Sequence, residues 1–534
     1  MPTLSDSPPH ESAWAPLRLP VFRMLWAVWV TANICMWMND VAAAWMMTTL
    51  AASPVMVALV QSASTLPVFL LGLPSGALAD IVDRRRYFMF TQVWVASVAL
   101  IMCAAILLDA MSPPLLLVLT FANGIGLAMR WPVFAAVVPE LVPRPQLPLA
   151  LALNGVAMNA SRIIGPILAG AIIAAAGSHY VFVLTALLSL VAAEAIRRWQ
   201  HEPRVSALPG ERFLGAIRVG VQHVRQSRRM HVIVLRTAVF FLQSMALLAL
   251  LPLVAKGLHG RGAASFTLLM AGMGSGAILT VLALPRLRRW FDRDGLVRHG
   301  TWLQALAMAA VGFAPNIWVA APAMVLAGAA WIAVANSLTV SAQLALPDWV
   351  RARGMSIYQM SMMGSSAIGA AVWGQVATWT SVRTSLICAA LGALICMAAL
   401  WRVTVGGADD EDLSPADAAR RPSIEPPDDL RGGPLLVTVE YRIDPDRAAE
   451  FREVMQVSRR NRLSQGVLSW GLFRHTSEPG VYIEHFIDES WAEHLRHFER
   501  LTAFDLALRE RRLAFHIGDA PPLVSRFMAE AVDE

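Results

Sequence analysis

Five polar side chains stand inside long apolar runs: Asn33 and Asp40 in 22–49, Arg130 in 114–138, and Asn159 and Arg162 in 148–176. A charge in a bilayer interior costs roughly 2.5 kcal/mol or more, so each charged member is a functional candidate. A carboxylate such as Asp40, in WMNDVAAAW, can carry a proton: burial raises its proton affinity and a nearby arginine lowers it. Asp40 is therefore read as the carrier or sensor of a coupling proton. Arg130 and Arg162 are read as neighbours of a cargo, or as groups that tune that proton. A fixed ion pair or a polar helix contact would use the same residue types. Asn154, Gln243, Asn336 and Gln343 fit helix–helix hydrogen bonds better than ligand contacts. The tryptophans, Trp26, Trp29, Trp37 and Trp45 among them, suit interfacial anchoring and packing.

The elements that must hold these residues are membrane spans. The 534 residues are 56% hydrophobic, with a mean hydropathy of +0.52, too apolar for a soluble globular protein. Apolar runs of about 20 residues, the length that crosses a bilayer core, recur from 22 to 404. The chain reads as twelve spans: 22–49, 54–79, 87–109, 114–138, 148–176, 180–198, 232–255, 264–285, 299–314, 317–345, 354–378 and 382–402. Arginine tests the count. The even-numbered connections hold Arg84 to Arg86, Arg144, the segment 197–229, Arg286 to Arg298, and Arg351 with Arg353. The odd-numbered ones hold only Lys256, Arg261 and Arg383. The basic side is cytoplasmic, which puts both termini inside.

This assigns 1–21 to a cytoplasmic tail, 22–199 to a first six-helix half, 200–231 to a central cytoplasmic loop and 232–404 to a second half. In the loop, FLGAIRVGVQHVRQ puts Phe213, Ile217, Val221 and Val224 on one helical face. That face would lie on the membrane or pack on the protein itself. The net charge of +6 is accounted for by the cytoplasmic arginines, so nucleic acid is not an expected partner. Cys35, Cys103, Cys388 and Cys396 all fall in spans and specify no disulfide framework or zinc site. No cleavable signal peptide is evident, since 1–20 is polar and the first apolar run is too long.

Between the second and third spans comes GALADIVDRRR, residues 76–86. With six plus six spans and a basic central loop, it resembles the major facilitator superfamily over residues 20–404. Gly76, Asp80, Arg84, Arg85 and Arg86 match the family's loop; Ile81 replaces an arginine and Asp83 a glycine. Aspartate followed by arginines, together with MRWPVFAAVVPELVP at 129–143, is similar to the branch of siderophore exporters and transmembrane secretion effectors. The resemblance implies that the loop latches the two halves in an outward-open state. LPRLRRWFDRDG, at 284–295, is a degraded echo in the second half, without an aspartate at the matching place. The fifth span's SRIIGPILAG resembles an antiporter element through Gly165, Pro166 and Gly170, with Ala169 in place of a glycine. The implied activity is secondary active export of a small amphipathic molecule (siderophore, drug or secondary metabolite) by proton antiport and alternating access.

Residues 405–433 read as a flexible linker and 434–534 as a soluble domain. LLVTVEYRI alternates, with Val437, Val439 and Tyr441 on one face. Asp444 and Pro445 open a helix in which Phe451, Val454 and Met455 share a face. Strands at 467–475 and 480–487, helices at 489–498 and 501–515 and a strand at 522–528 complete a ferredoxin-like α+β order. The domain resembles antibiotic-biosynthesis monooxygenase-like modules, which implies pairing as a dimeric α+β barrel. It leaves open a second reading, a membrane-anchored fusion whose tail is a cofactor-free monooxygenase. His494 and His497, three apart, share a helical face, but no third ligand is specified. The expectation is a transporter and not an enzyme, with no cofactor, no metal, and cargo, protons and lipid as its partners.

Overall fold

The computed structural model describes residues 14–51, 53–143, 146–199, 213–258, 262–347, 349–404, 412–414 and 433–530. Arg144, Arg261, the ends of the tails and most of the linker lie outside the described residues, as do the side chains at 76, 80 and 159.

The first half consists of α1 (Pro20–Leu50), α2 (Pro54–Ile81), α3 (Arg84–Leu107), α4 (Pro113–Leu141), α5 (Leu147–Ala175) and α6 (Ser178–Arg197). After α7 (Phe213–Gln226), the second half follows as α8 (Arg228–Gly257), α9 (Gly262–Trp290), α10 (Arg293–Phe313), α11 (Ile317–Leu344), α12 (Arg351–Trp379) and α13 (Val382–Ala399). Proline starts α1, α2 and α4, where its missing N–H costs no hydrogen bond. Among the described residues, ten helices are long and apolar enough to cross a membrane. The expectation was twelve. α10 opens with Arg293, Asp294 and Arg298, and α12 carries Arg351, Arg353, Gln359 and many small residues, which dilute their hydropathy.

Two compact units emerge. One comprises 1–207, 236–338 and 359–403; the other comprises 208–235, 339–358 and 404–534. In the first unit, Trp29 of α1 stacks on Phe134 of α4 with ring centres 4.0 Å apart, inside a core shared with Phe22, Leu25 and Phe88.

The second unit contains β1 (Leu435–Arg442), α14 (Ala448–Ser464), β2 (Ser469–Arg474), β3 (Val481–Asp488), α15 (Trp491–Glu499), α16 (Ala503–Leu513) and β4 (Leu523–Met528). The four strands form one antiparallel sheet in the order β2-β3-β1-β4. Val437, Val439 and Tyr441 are buried against Phe451, Val454 and Met455 of α14, so period-2 and period-3.6 patterns meet in one core. Thr502 and Asp505 cap α16 reciprocally, each side chain bonding the other's backbone N–H. The linker is not wholly free: the Ser414 and Asp412 carbonyls accept hydrogen bonds from Ala503 and Phe504 at the start of α16.

α7 packs on this domain. Gln222 donates to the Val467 carbonyl at 2.9 Å, a His223 ring nitrogen lies 3.2 Å from the Ser464 carbonyl, and Arg218 pairs with Glu489 at 2.6 Å. The buried side carries Val219, His223 and Val224, while Val221 is exposed. Of the face expected from Phe213, Ile217, Val221 and Val224, Val224 is buried, Ile217 half-buried and Val221 exposed, while the Phe213 side chain lies outside the described residues; Gln222 and His223 add polar contacts to the docked side.

Candidate functional site

Asp40 lies in the middle third of α1, and the Ser64 hydroxyl of α2 donates to its Oδ1 at 2.8 Å. Its neighbour Asn39 turns the other way and accepts from Thr185 of α6 at 3.0 Å. Asn33, fully buried, donates to the Trp29 carbonyl one turn earlier at 2.7 Å, and its Oδ1 has no hydrogen-bond partner among the described residues. Asp40 is therefore held by a neutral hydroxyl. Among the described residues no ion pair joins it to Arg130 or Arg162. The proposed tuning of Asp40 by an adjacent arginine has no direct contact in this conformation.

Arg130 of α4 reaches across to α1. One terminal nitrogen donates to the Ala32 carbonyl at 3.0 Å, and the guanidinium carbon lies 5.6 Å from the Trp29 ring centre. Its Nε and second terminal nitrogen are buried without hydrogen-bond partners. Arg162 of α5 sits between two indoles, 5.5 Å from Trp37 of α1 and 5.0 Å from Trp331 of α11. Cation–π contact in a desolvated setting is worth about 2 kcal/mol. Of the anchoring and packing expected of the tryptophans, Trp29, Trp37 and Trp331 show packing, each against Arg130 or Arg162.

The two halves touch through α5 and α9. A side chain at Gly170 would overlap Thr267, and one at Gly274 would press on Ile163. Gly165 lies against Trp37 and the Ile34 carbonyl of α1, so it serves packing within the first half. Pro166 falls inside α5. Further joins are Lys256 to the Thr48 carbonyl at 2.8 Å and Ser62 to the Ala367 carbonyl at 2.6 Å.

At the loop after α2, Asp83 caps α3 and accepts from the Arg86 N–H at 2.8 Å. Arg85 donates to the Arg197 carbonyl at the end of α6. The aspartate that replaces the family's glycine is thus a helix cap. The second half repeats the device: Asp292 caps α10 by accepting from Gly295 at 2.7 Å. Asp292 is the counterpart of Asp83, and the place of Asp80, three residues earlier, is held by Arg289 in the second loop. The equivalence is positional in the fold and lies beyond the loop's sequence pattern. Arg236 is a buried arginine that the sequence reading passed over. It donates to the Leu400 carbonyl at 2.9 Å and to the Val403 carbonyl beyond the end of α13. Its signal was an arginine inside VIVLRTAVFF.

In the soluble domain, Glu484 of β3 is fully buried. It accepts from Tyr441 at 3.1 Å, Trp470 at 2.9 Å and Arg512 at 3.3 Å. Burial pushes its carboxyl up, but Arg462, Arg512 and these donors outweigh burial and hold it below the ordinary range. His494 and His497 turn inward from α15 onto Asp488 at the end of β3. Sequence spacing showed the pair of histidines but not their carboxylate, which lies one turn away across a strand–helix corner.

A large helical body of two packed halves, polar groups inside the spans and arginine at alternate connections define a transporter of the major facilitator type. The nucleoside transporter NupG has the same fold: it superposes with a TM-score of 0.60 at 12% identity, covering 72% of this chain and 99% of that one. The chain belongs to the transmembrane secretion effector family, which it matches over residues 11–533. It is 23% identical to the staphyloferrin A transporter of Staphylococcus aureus, over 66% of this chain and 90% of that protein. It is 20% identical to macrolide efflux protein A of Streptococcus pyogenes, over 55% and 73%.

Proposed function

We propose that the protein is a proton-coupled exporter of a small amphipathic molecule, working by alternating access between its two halves. The observation that carries this reading is Arg162, seated between an indole of each half. A cationic, aromatic-walled position suits a cargo with carboxylate or carbonyl groups and apolar surface. Relatives described as a staphyloferrin A transporter and a macrolide efflux protein support a siderophore or drug-like cargo and the outward direction. Asp40 is the proposed proton carrier, since it is a membrane-embedded carboxylate bonded only to a hydroxyl. Asn33 and Arg130 are proposed to support the same region, and Asn159 remains a candidate from its place in the sequence of α5. α10 and α12 cross the membrane as well, which restores twelve spans and places both termini in the cytoplasm of a bacterial inner membrane. Gly76, Asp80 and Arg84 to Arg86 act at the gate, and the α5–α9 crossing is the hinge, with Gly170 at the contact, Pro166 inside α5 and Gly165 seating α5 on α1.

The soluble domain is proposed to be a ferredoxin-like module that pairs with a second copy. The sheet face away from its helices exposes large apolar side chains (Phe473 is 60% exposed, Phe527 54% and Leu523 67%, around Leu436, Ile483 and Ile487) interleaved with Thr438, Glu440 and His485. Such a face is costly to leave in water.

The test is proton release from dye-loaded inverted vesicles on adding a carboxylate siderophore or a macrolide. Wild-type vesicles release protons and Asp40→Asn vesicles do not. Wild-type rates from the variant would end the proton-carrier assignment; no release from either, with every cargo tried, would end proton-coupled export.

A further inference from the structure

Asp488, His494 and His497 enclose a small polar space in the interior of the soluble domain. The ligating atoms of the three residues all lie within 4.8 Å of one another. Asp488 is 1% exposed, His494 3% and His497 4%. Chain geometry makes the cluster: β3 ends at Asp488, Ser490 caps α15, and the i, i+3 spacing turns both rings back toward the strand end.

One pair in it is unsatisfied. Among the described residues Asp488 Oδ1 and His497 Nδ1 have no hydrogen-bond partner, and they face each other at 3.4 Å. His497 Nε2 lies 3.2 Å from the Gln465 carbonyl, so that nitrogen carries the ring proton. Nδ1 then aims a lone pair at a carboxylate oxygen. Two buried acceptors in contact repel, and an unmade partner costs about 1–3 kcal/mol. Something positive belongs between them.

We propose that these three residues form a binding site for one zinc-class divalent cation. Tetrahedral coordination with bonds of about 2.0–2.1 Å sets neighbouring donor atoms about 3.4 Å apart. The Oδ1 to Nδ1 separation has that value. A ring nitrogen held by a backbone carbonyl, here Nε2 on Gln465, is the usual way a metal-binding imidazole is oriented. Mixed imidazole and carboxylate donors suit zinc and its neighbours, whereas magnesium and calcium take oxygen shells.

His494 completes the set after one proton shift. Its Nδ1 now bonds Asp488 Oδ2 at 2.8 Å, and its Nε2 accepts from Arg526 Nε at 3.1 Å. To ligate, the ring changes tautomer: the proton leaves Nδ1, whose lone pair goes to the cation, and Nε2 takes up a proton from solvent so that the imidazole stays neutral. Nε2 can then no longer accept from Arg526, so the half-buried Arg526 gives up that contact when the cation binds. Two arginines face the site: Arg500, paired with Glu493 at 2.5 Å, and Arg462 both act on His497, so the Asp488 carboxylate must offset their charge as well as bind the cation.

The experiment uses the full-length protein in detergent, stripped with a chelator and then equilibrated with zinc or cobalt. One zinc per chain is expected to survive gel filtration. Cobalt should show the intense visible absorption of a tetrahedral site, and zinc, but not magnesium, should raise the domain's thermal midpoint. His497→Gln and Asp488→Asn should each lose zinc affinity at least tenfold. Retention unchanged in both variants would place the ion elsewhere and overturn the site. A wild-type midpoint that ignores zinc but moves with pH would overturn it too, because a shared proton would then fill the gap. The wild-type measurements decide the matter even if a variant fails to fold.

Discussion

The guanidinium of Arg162 lies 5.0 Å from the ring centre of Trp331, so a cation of the first half rests on an indole of the second. This contact must break or slide when the halves separate on that side. It also leaves the in-plane donors of Arg162 free to meet a ligand while its faces are covered. Arg162→Ala removes both roles and should lower transport at least tenfold with normal membrane levels of protein. Arg162→Lys keeps the charge but loses the flat stacking surface, and should fall between. Rates in reconstituted vesicles check the order; equal rates for alanine and wild type would exclude Arg162 from the cycle.

Gly170 and Gly155 lie on the same helix and should behave in opposite ways. A side chain at Gly170 would overlap Thr267 of α9, whereas nothing lies within 4 Å of a Cβ at Gly155. Gly170→Val should therefore block the α5–α9 crossing and abolish transport. Gly155→Ala should leave transport unchanged and stabilise slightly, by about 0.5–1 kcal/mol at most. Transport assays on the pair separate close packing from a general need for glycine in α5.

Docking of α7 on the soluble domain depends more on Gly466 than on the ion pair beside it. Arg218 and Glu489 are 38% and 28% exposed, so their pairing contributes about 0–1 kcal/mol. Gly466 has φ +105° and its missing Cβ would sit 2.6 Å from Val219 of α7. Gly466→Ala combines a left-handed backbone penalty of roughly 1–2 kcal/mol with that clash. Hydrogen exchange of α7 amides should rise markedly in Gly466→Ala and little in Arg218→Ala. The reverse order would mean that charge holds the helix.

Much of this architecture was legible from residue types. Apolar runs and arginine alternation located the helices, and alternation in LLVTVEYRI located the buried face of β1. Intramembrane charge singled out Arg130 and Arg162 as candidates, and both lie against indoles of α1. What remained hidden was contact between distant segments. Trp331 lies 169 positions after Arg162, and no periodicity links them. Asp488 joins His494 only because a strand ends where a helix begins. That Asp292 caps α10 as Asp83 caps α3 is a matter of where each helix begins, which the linear motif does not mark. Periodicity marked Val224 of α7 but left open whether its face meets the membrane or the protein, and it missed His223 and Gln222, because the partner surface is mixed.

Glu484 should make the soluble domain acid-sensitive. It is fully buried, bonded by Tyr441, Trp470 and Arg512, and its carboxyl is held below the ordinary range. A depressed folded value means that the unfolded chain binds the proton more tightly. The stabilisation is therefore fully present above about pH 4.3, the unfolded glutamate value. It is lost as pH falls from there through the lower folded value. Glu484→Gln strands Arg512 and Arg462 without a counter-charge, which should cost about 3–5 kcal/mol. The acid dependence should shrink with it. Glu450→Gln is the control: its pair with Arg447 is exposed, with side chains 63% and 49% accessible, so stability should change by no more than about 1 kcal/mol. Hydrogen exchange of β3 amides in the full-length protein, followed from pH 7 to pH 3, reads both effects. Protection in Glu484→Gln equal to wild type at pH 7 would show that burial alone, without the charge network, holds the sheet on its helices.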